Sequence, residues 1–485
     1  MPNRPQIILN EDNRRKLFGT YAGEEEDIDR LKQYYFKNDI YESIIADQPL
    51  KILVGNKGVG KSALFQYAIA ESIGKGMMPV ILRPDDVAEI WEKYENVIST
   101  IKKWKYQLID IIAKKILQQF ELDSSTVTAM IVPSGMKIFR ILEKHLLSLK
   151  ADRALSSTQL DQVEQFLKTQ KIVVYLDDID RSWQNRQEGV TIISALINAI
   201  RDLSSENKGL TFKLALRLDV YNAVRTADES SDKYENAVVH QSYKVHEIFI
   251  LLVKRIITFY GENLDEEHLS RLQQDHLAEN LYSLFERSFR GKGLWANVPT
   301  KTVLLSLIRN RPRDLIKLCV TAAKEAYRQQ STIIRTEHIE AILPVYSRSI
   351  IDDTIAEYKS ELPSIEKLIY GMRASKSQKK AEDNFRFTTT ELHSKLHQIK
   401  QNNQFNFAKG GEATVHALKD FLYKINFITA RKTLQNGTIV RSSYEENPNL
   451  SLSYISEGYE WEVHLAYRWV LQPDSLDDIF NKIKI

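Results

Sequence analysis

The sequence predicts an α/β protein: a parallel sheet covered by helices, then an all-helical region, then a small C-terminal domain of helices and strands. Three observations carry that prediction. The apolar run KILV at 51–54 ends in a glycine-rich loop and leads into a helical pattern, ALFQYAIAESI. Strand-like runs recur at 77–86, 171–180 and 210–219 with helical segments between them, an alternation that builds parallel sheets covered on both faces. From about Val245 to Pro344 the pattern is helical throughout.

Each element has a local reason. Residues 1–49 are polar and mixed. Their acidic run Glu24–Asp27 precedes a helical pattern, IDRLKQYYF, where carboxylates complement the positive end of the helix dipole. Residues 51–55 form the first core strand, and MMPVILRPDD (77–86) the second, ended by Pro84. Residues 87–170 read as a helical insertion. Its segments 104–120 and 136–150 carry apolar residues at three- and four-residue spacing, and VPSG at 132–135 breaks them apart. KIVVYLDDID (171–180) is a buried strand ending in acid, 188–203 a helix and LTFKLALRLD (210–219) the next strand. RTEHIEAIL (335–343) opens a helix with Thr336 as its cap. ASKSQKKAED (374–383) lacks periodicity and reads as a linker. Helices followed by a short two-strand wing then suggest a winged-helix-like domain. The expected domains are 1–244 (core, N-terminal segment and the insertion at about 87–170), 245–372 (helical lid), 373–384 (linker) and 385–485 (winged-helix-like).

Composition narrows the class. At 485 residues and 43% hydrophobic, the chain has material for several packed cores. The 67 basic and 64 acidic side chains nearly balance, which does not mark a nucleic-acid binder. The single cysteine, Cys319, excludes an internal disulfide and sits in a helical run where a buried structural thiol is expected. No long apolar leader opens the chain, and no segment approaches ~18 uninterrupted apolar residues, so a cytoplasmic protein with no membrane partner is expected.

The loop carries the most chemistry. Gly55-Asn56-Lys57-Gly58-Val59-Gly60-Lys61-Ser62 fits G-x-x-x-x-G-K-[ST] between a candidate strand and a helix that continues at Ala63, the context expected of a P-loop NTPase core. Gly55 and Gly60 allow backbone angles and close approach that a Cβ would obstruct. The loop N–H groups cradle phosphate oxygens, and the first helical turn adds unpaired donors. Lys61 reaches the β- and γ-phosphates, and the Ser62 hydroxyl is a ligand for Mg²⁺. The run VVYLDDID supplies the other half: Asp177, ending a strand beside the first, faces the metal, and Asp178 orients or deprotonates the attacking water. Helix-capping aspartates are the alternative reading. Arg217 with Asp219 reads either as a contact to the γ-phosphate or as a surface ion pair. Asn310-Arg311-Pro312-Arg313-Asp314 reads either as a lid-borne cation for the triphosphate or as a basic helix start with Pro312 in its first turn.

Taken in order, GNKGVGKS, VVYLDDID, LALRLD and NRPRD resemble the bacterial P-loop ATPases of the STAND/AAA+ type, near the KAP and origin-recognition-like groups. LFGTYAGEEED is similar to the segment those ATPases place ahead of the loop, and the C-terminal strands to the winged-helix tail of some members. The resemblance implies ATP and Mg²⁺ as cofactors and Lys61, Ser62, Asp177 and Asp178 in the two Walker motifs. It puts Arg217 at the first sensor position and Arg313, or Arg311, at the second. Asp178 stands where many AAA+ proteins use Glu, which implies slow turnover. The function implied is an ATP-hydrolysing switch acting on a protein partner or on self-assembly, in settings that include bacterial defence. Two alternatives stand beside it. One is an origin-recognition-like ATPase holding nucleic acid through Arg431, Lys432 and Arg441, although the 100 residues from Arg386 carry twelve basic and eleven acidic side chains. The other is a nucleotide-binding scaffold with negligible hydrolysis.

Overall fold

The computed structural model describes residues 4–20, 26–91, 96–119, 166, 168–181, 187–228, 230–262, 265–291, 293–374, 385–408, 410, 412–451 and 458–472. The expected helix at 136–150, the VPSG breaker and nearly all of the linker lie outside these residues. The chain divides into two compact units, Met1–Ala22 with Ser242–Ile485, and Gly23–Gln241. Helix α1 (Glu11–Phe18) belongs to the first of these.

The Gly23–Gln241 unit is an α/β sandwich. Helices α2 (Ile28–Tyr34) and α3 (Asp39–Ile45) precede strand β1 (Leu50–Gly55), the loop and helix α4 (Lys61–Gly74). Strand β2 (Met78–Leu82), helices α5 (Pro84–Trp91) and α6 (Val97–Gln119), strand β3 (Ile172–Leu176) and helix α7 (Gln187–Glu206) follow. Strand β4 (Leu210–Arg217), helix α8 (Leu218–Ala227) and strand β5 (Val238–His240) complete the unit. The five strands pair in parallel in the order β2-β3-β4-β1-β5. Alternate side chains face opposite layers. Ile52, Val54, Val80, Leu82, Val174, Leu176, Phe212 and Leu214 pack with Trp104, Leu108 and Ile112 of α6 and Ile193, Leu196 and Ile200 of α7. Leu53, Val173, Tyr175 and Ala215 pack with Leu31, Tyr41, Ile44, Leu64 and Phe65 on the other face. Burial on both faces is why these strands read as nearly continuous apolar runs.

Three expectations change here. Pro84 does more than end a strand, since it opens α5. The acid-bearing strand stops at Leu176, so Asp177–Asp180 form a turn and strand alternation does not govern them. Finally, β3 is not the neighbour of β1: β4 lies between them. Strand β5 was too short, at three residues, to register as an apolar period.

The other unit begins with α1, which buries Leu17 and Phe18 and packs against the helices at 245–259 and 312–328. Arg4 anchors the segment ahead of it, donating Nε to Glu262 at 2.7 Å and Nη2 to Asn280 at 2.8 Å. The first 22 residues therefore leave the unit that holds the loop, unlike the boundary read along the sequence. Helices α9 (Val245–Phe259), α10 (Glu266–Arg271) and α11 (Gln274–Ala278), a two-stranded ribbon of β6 (Ser288–Phe289) and β7 (Val298–Pro299), and α12 (Thr300–Ser306) come next. Then follow α13 (Pro312–Arg328), α14 (Thr336–Tyr358) and α15 (Ile365–Gly371). Cys319 is buried in α13, where desolvation pushes its thiol up, as expected of a structural cysteine. Thr336 is not the cap of α14. Its hydroxyl accepts the Arg290 N–H at 2.7 Å, while His338 Nδ1 accepts the N–H of Arg335, the capping residue, at 2.9 Å. The helix runs through Pro344 to Tyr358.

The C-terminal part comprises β8 (Arg386–Phe387), α16 (Thr389–Gln401), α17 (Val415–Lys424), β9 (Ile428–Thr433), β10 (Ile439–Ser442), β11 (Glu460–Val463) and α18 (Arg468–Leu471). Its antiparallel sheet has four strands, ordered β10-β9-β11-β8, where a two-strand wing was expected. No described helix is long and apolar enough to cross a membrane.

Candidate nucleotide site

The parallel register brings the chemistry to one edge of the sheet. Gly55, last in β1, pairs with Arg217, last in β4, and Leu176, last in β3, pairs with Leu214. The loop, the acidic turn and Arg217 thus leave the carboxyl ends of three consecutive strands, where open α/β sheets place their ligands.

Gly58 (φ 82°) and Gly60 (φ 89°) occupy left-handed backbone that a Cβ would strain. Gly55 is needed for a different reason. A Cβ there would lie 2.9 Å from the Gln241 carbonyl oxygen and 2.9 Å from Val59 Cγ2. Lys61 Nζ donates to the Gly55 carbonyl at 2.8 Å and the Asn56 carbonyl at 3.2 Å, so the ammonium is held over the loop. Asn56 is buried, and Lys57 is exposed at the loop's outer turn. Ser62 and Ala63 sit half-buried in the first turn of α4. Ser62 and Asp177 offer the hard oxygen donors that suit Mg²⁺.

The acidic turn separates the roles of its three carboxylates. Asp177 is half-buried, and its N–H donates to the Leu82 carbonyl at 3.2 Å, which ties it to β2. Asp178 adopts φ 59° and keeps its side chain 51% exposed, 3.6 Å from Arg181. Asp180 is 3% exposed and accepts the Arg217 N–H at 2.6 Å, pinning the acidic turn to β4. Burial pushes its carboxyl up to about 6, against the pull of that N–H and of the Lys61 and Arg217 charges.

The sign of this shift gives a prediction. A carboxyl raised from 3.8 to about 6 binds its proton more tightly folded than unfolded. The folded protein then loses stability as pH rises through that window, by on the order of 3 kcal/mol at about 1.4 kcal/mol per unit. Asp180→Asn keeps an acceptor for the Arg217 N–H without the charge. Its unfolding free energy is expected to exceed the wild type's by about 2–3 kcal/mol above about pH 7, and the gain to vanish below about pH 4, in denaturant titrations across pH.

Arg217 and the NRPRD stretch follow the alternative readings that the sequence offered. Arg217 donates Nε and Nη2 to the two carboxylate oxygens of Asp219, at 3.1 and 2.8 Å, so it reads first as half of a partly buried ion pair. Asp219 owes this position to α8, which begins at Leu218 and puts the carboxylate in its first turn. Arg311 is corrected outright as a nucleotide ligand. Its guanidinium is buried in the other unit and donates to Glu357 at 2.7 Å, with no exposed face for a phosphate. Arg313, the second residue of α13, is half-exposed. The basic residues proposed for nucleic acid are also largely committed. Arg431 pairs with Glu460 at 2.8 Å and Arg441 with Glu462 at 3.0 Å, while Lys432 lies over the Tyr459 ring.

Gln241 was not singled out from the sequence. It follows β5 and is 3% exposed, donating its N–H to the Val54 carbonyl at 2.6 Å. A lone glutamine after a three-residue strand leaves no pattern to read.

No family model matches the chain. An 80.3 kDa protein ascribed to transposon gamma-delta in Escherichia coli (strain K12) is 23% identical over 404 residues. The match covers 76% of this chain and 55% of that protein, so the chain spans about half the length of this relative. Among solved structures, the Walker-type ATPase PABY2304 of Pyrococcus abyssi is similar with a TM-score of 0.40 and 14% identity, over 90% of this chain and 97% of that one. The Aeropyrum pernix ORC2 protein is similar with a TM-score of 0.39 and 11% identity, over 97% and 94%.

Proposed function

We propose that the chain binds ATP with Mg²⁺ at the loop 55–62, hydrolyses it slowly, and uses the change in nucleotide state to act on a protein partner or on its own assembly. The observation that carries this reading is the convergence of Lys61, the acidic turn and Arg217 at the carboxyl edge of one parallel sheet. Lys61 and the loop amides hold the phosphates, and Ser62 and Asp177 hold the metal. Bound Mg²⁺ neutralises charge on the β- and γ-phosphates. Asp178, exposed at the mouth of the turn, orients the attacking water and takes its proton, while Asp180 keeps the turn and β4 in register. Arg217 is shared between Asp219 and the γ-phosphate.

A protein partner is favoured over direct DNA contact through β9 and β10, because Glu460 and Glu462 already neutralise Arg431 and Arg441. The transposon named for the Escherichia coli relative fits a switch working beside mobile DNA, with the DNA held by that partner.

Phosphate release from MgATP tests the reading. Saturable, Mg²⁺-dependent release is expected, and Asp178→Asn should slow it about 100-fold with ATP affinity retained. Unchanged turnover in that variant would move the base to Asp180. Release no faster than in Lys61→Ala would reduce the protein to a nucleotide-binding scaffold.

A further inference from the structure

We propose that Gln241 is a positioning residue of the phosphate loop, setting the orientation of the Val59–Gly60 peptide and so aiming the Gly60 N–H as a phosphate donor. The proposal rests on the nucleotide-site reading above and adds to it the residue that follows the edge strand β5.

Four observations converge on this side chain. Gln241 Nε2 donates to the Val59 carbonyl at 3.4 Å, reaching the loop from the strand on the opposite side of β1 from Arg217. Its backbone cannot drift, because its N–H extends the β5–β1 ladder to the Val54 carbonyl at 2.6 Å. Its carbonyl oxygen and Cβ crowd Gly55 so closely that any Cβ there would sit 2.9 and 3.0 Å from them. Gln241 Oε1 is buried with no hydrogen-bond partner among the described residues. Such an orphan is costly to bury, and an apolar side chain of the same size would avoid the cost. An amide kept at that cost is explained if its N–H end is needed.

Stereochemistry supplies the need. No peptide bond among the described residues is cis, and in a trans peptide the C=O and the following N–H point in opposite directions. Holding the Val59 carbonyl toward Gln241 turns the Gly60 N–H away from β5. Gly60 is the loop's last glycine, its φ of 89° closes the loop onto α4, and N–H groups at this turn are those that form an anion cradle. Val59 is 4% exposed, so its side chain is packed and the peptide plane is its remaining freedom. A carbonyl accepts and never donates, so glutamate at 241 would set two acceptors against each other, and methionine would fill the space without the bond.

Gln241→Met and Gln241→Glu separate positioning from packing. Binding of MgATP and of magnesium tripolyphosphate, which lacks base and ribose, is measured for each variant beside the nucleotide-free unfolding midpoint. Gln241→Met is expected to weaken both probes about tenfold, the loss of one hydrogen bond, while the midpoint holds or rises. Gln241→Glu should weaken both further. Wild-type affinities in both variants would overturn the proposal. So would affinity falling only in step with the midpoint, which marks a packing role. If the wild type binds neither probe, the nucleotide-site reading fails by itself. The brace is then judged by the Val59 carbonyl ¹³C shift of the nucleotide-free protein, expected to move upfield in Gln241→Met as the hydrogen bond is lost and overturning the brace if unchanged.

Discussion

Lys61→Ala is expected to weaken MgATP binding by at least about 100-fold in a direct titration, while the nucleotide-free protein gives up only a small part of its stability at neutral pH. The large effect on binding follows from what the ammonium does. It is the loop's own cation, tethered to the Gly55 and Asn56 carbonyls, so it stands where phosphate charge arrives and need not be recruited. A charge-assisted bond to phosphate is roughly twice as strong as a neutral one, and alanine removes it together with the local field. The small effect on stability follows from the same geometry. The ammonium is only partly buried, so water can take its place at the two carbonyls. The Asp180 carboxyl would lose one of the cations that lower it and rise further, shifting its titration upward in the variant. Undiminished affinity in Lys61→Ala would remove the loop from the nucleotide site altogether.

How much of this was legible in the sequence depends on the range of the interaction. The loop was fully legible because its chemistry is consecutive: glycine where the backbone turns left-handed, then lysine and serine at the helix start. The parallel sheet was legible from the buried strands. What failed was what tertiary pairing decides. Nothing in KIVVYLDDID says that β4 will insert between β3 and β1, or that the strand will stop at Leu176. The acid nearest the buried edge is therefore Asp180, while Asp178 turns outward. NRPRD stayed open between two readings for a related reason, and the helix start with Pro312 in its first turn is the one seen. A basic cluster before a helix has the same composition whether it serves a ligand or an internal carboxylate. Only the fold brings Glu357, 46 residues from Arg311, within 2.7 Å of it. Gln241 and the short β5 were silent because three residues carry no period.

The same stretch gives the second large effect. Asp314→Ala is expected to destabilise the unit built from Met1–Ala22 and Ser242–Ile485 by about 3–5 kcal/mol, seen as early unfolding in denaturant or heat. Arg309 is wholly buried and donates Nε and Nη2 to Asp314 at 2.8 and 3.0 Å, a bidentate fork. Its third nitrogen donates to Thr354 of α14 at 2.7 Å and to the Tyr467 hydroxyl of the C-terminal part at 3.2 Å. Burial works against the Asp314 charge, but Arg309 outweighs it and holds the carboxyl below the usual range. Removing Asp314 leaves a guanidinium in the core with its main partner gone, and an uncompensated buried charge costs more than the intact pair contributes. The loss spreads because Arg309 also fastens α14 and Tyr467. Arg309→Met, which takes the cation away but strands the carboxylate, should cost a similar amount. The double variant Arg309→Met with Asp314→Leu should recover most of it, since an apolar pair of matching volume removes both charges. Recovery would assign the cost to unpaired charge. Failure to recover would assign it to the bonds that Arg309 makes to Thr354 and Tyr467, and so to the seam between the helical region and the C-terminal sheet.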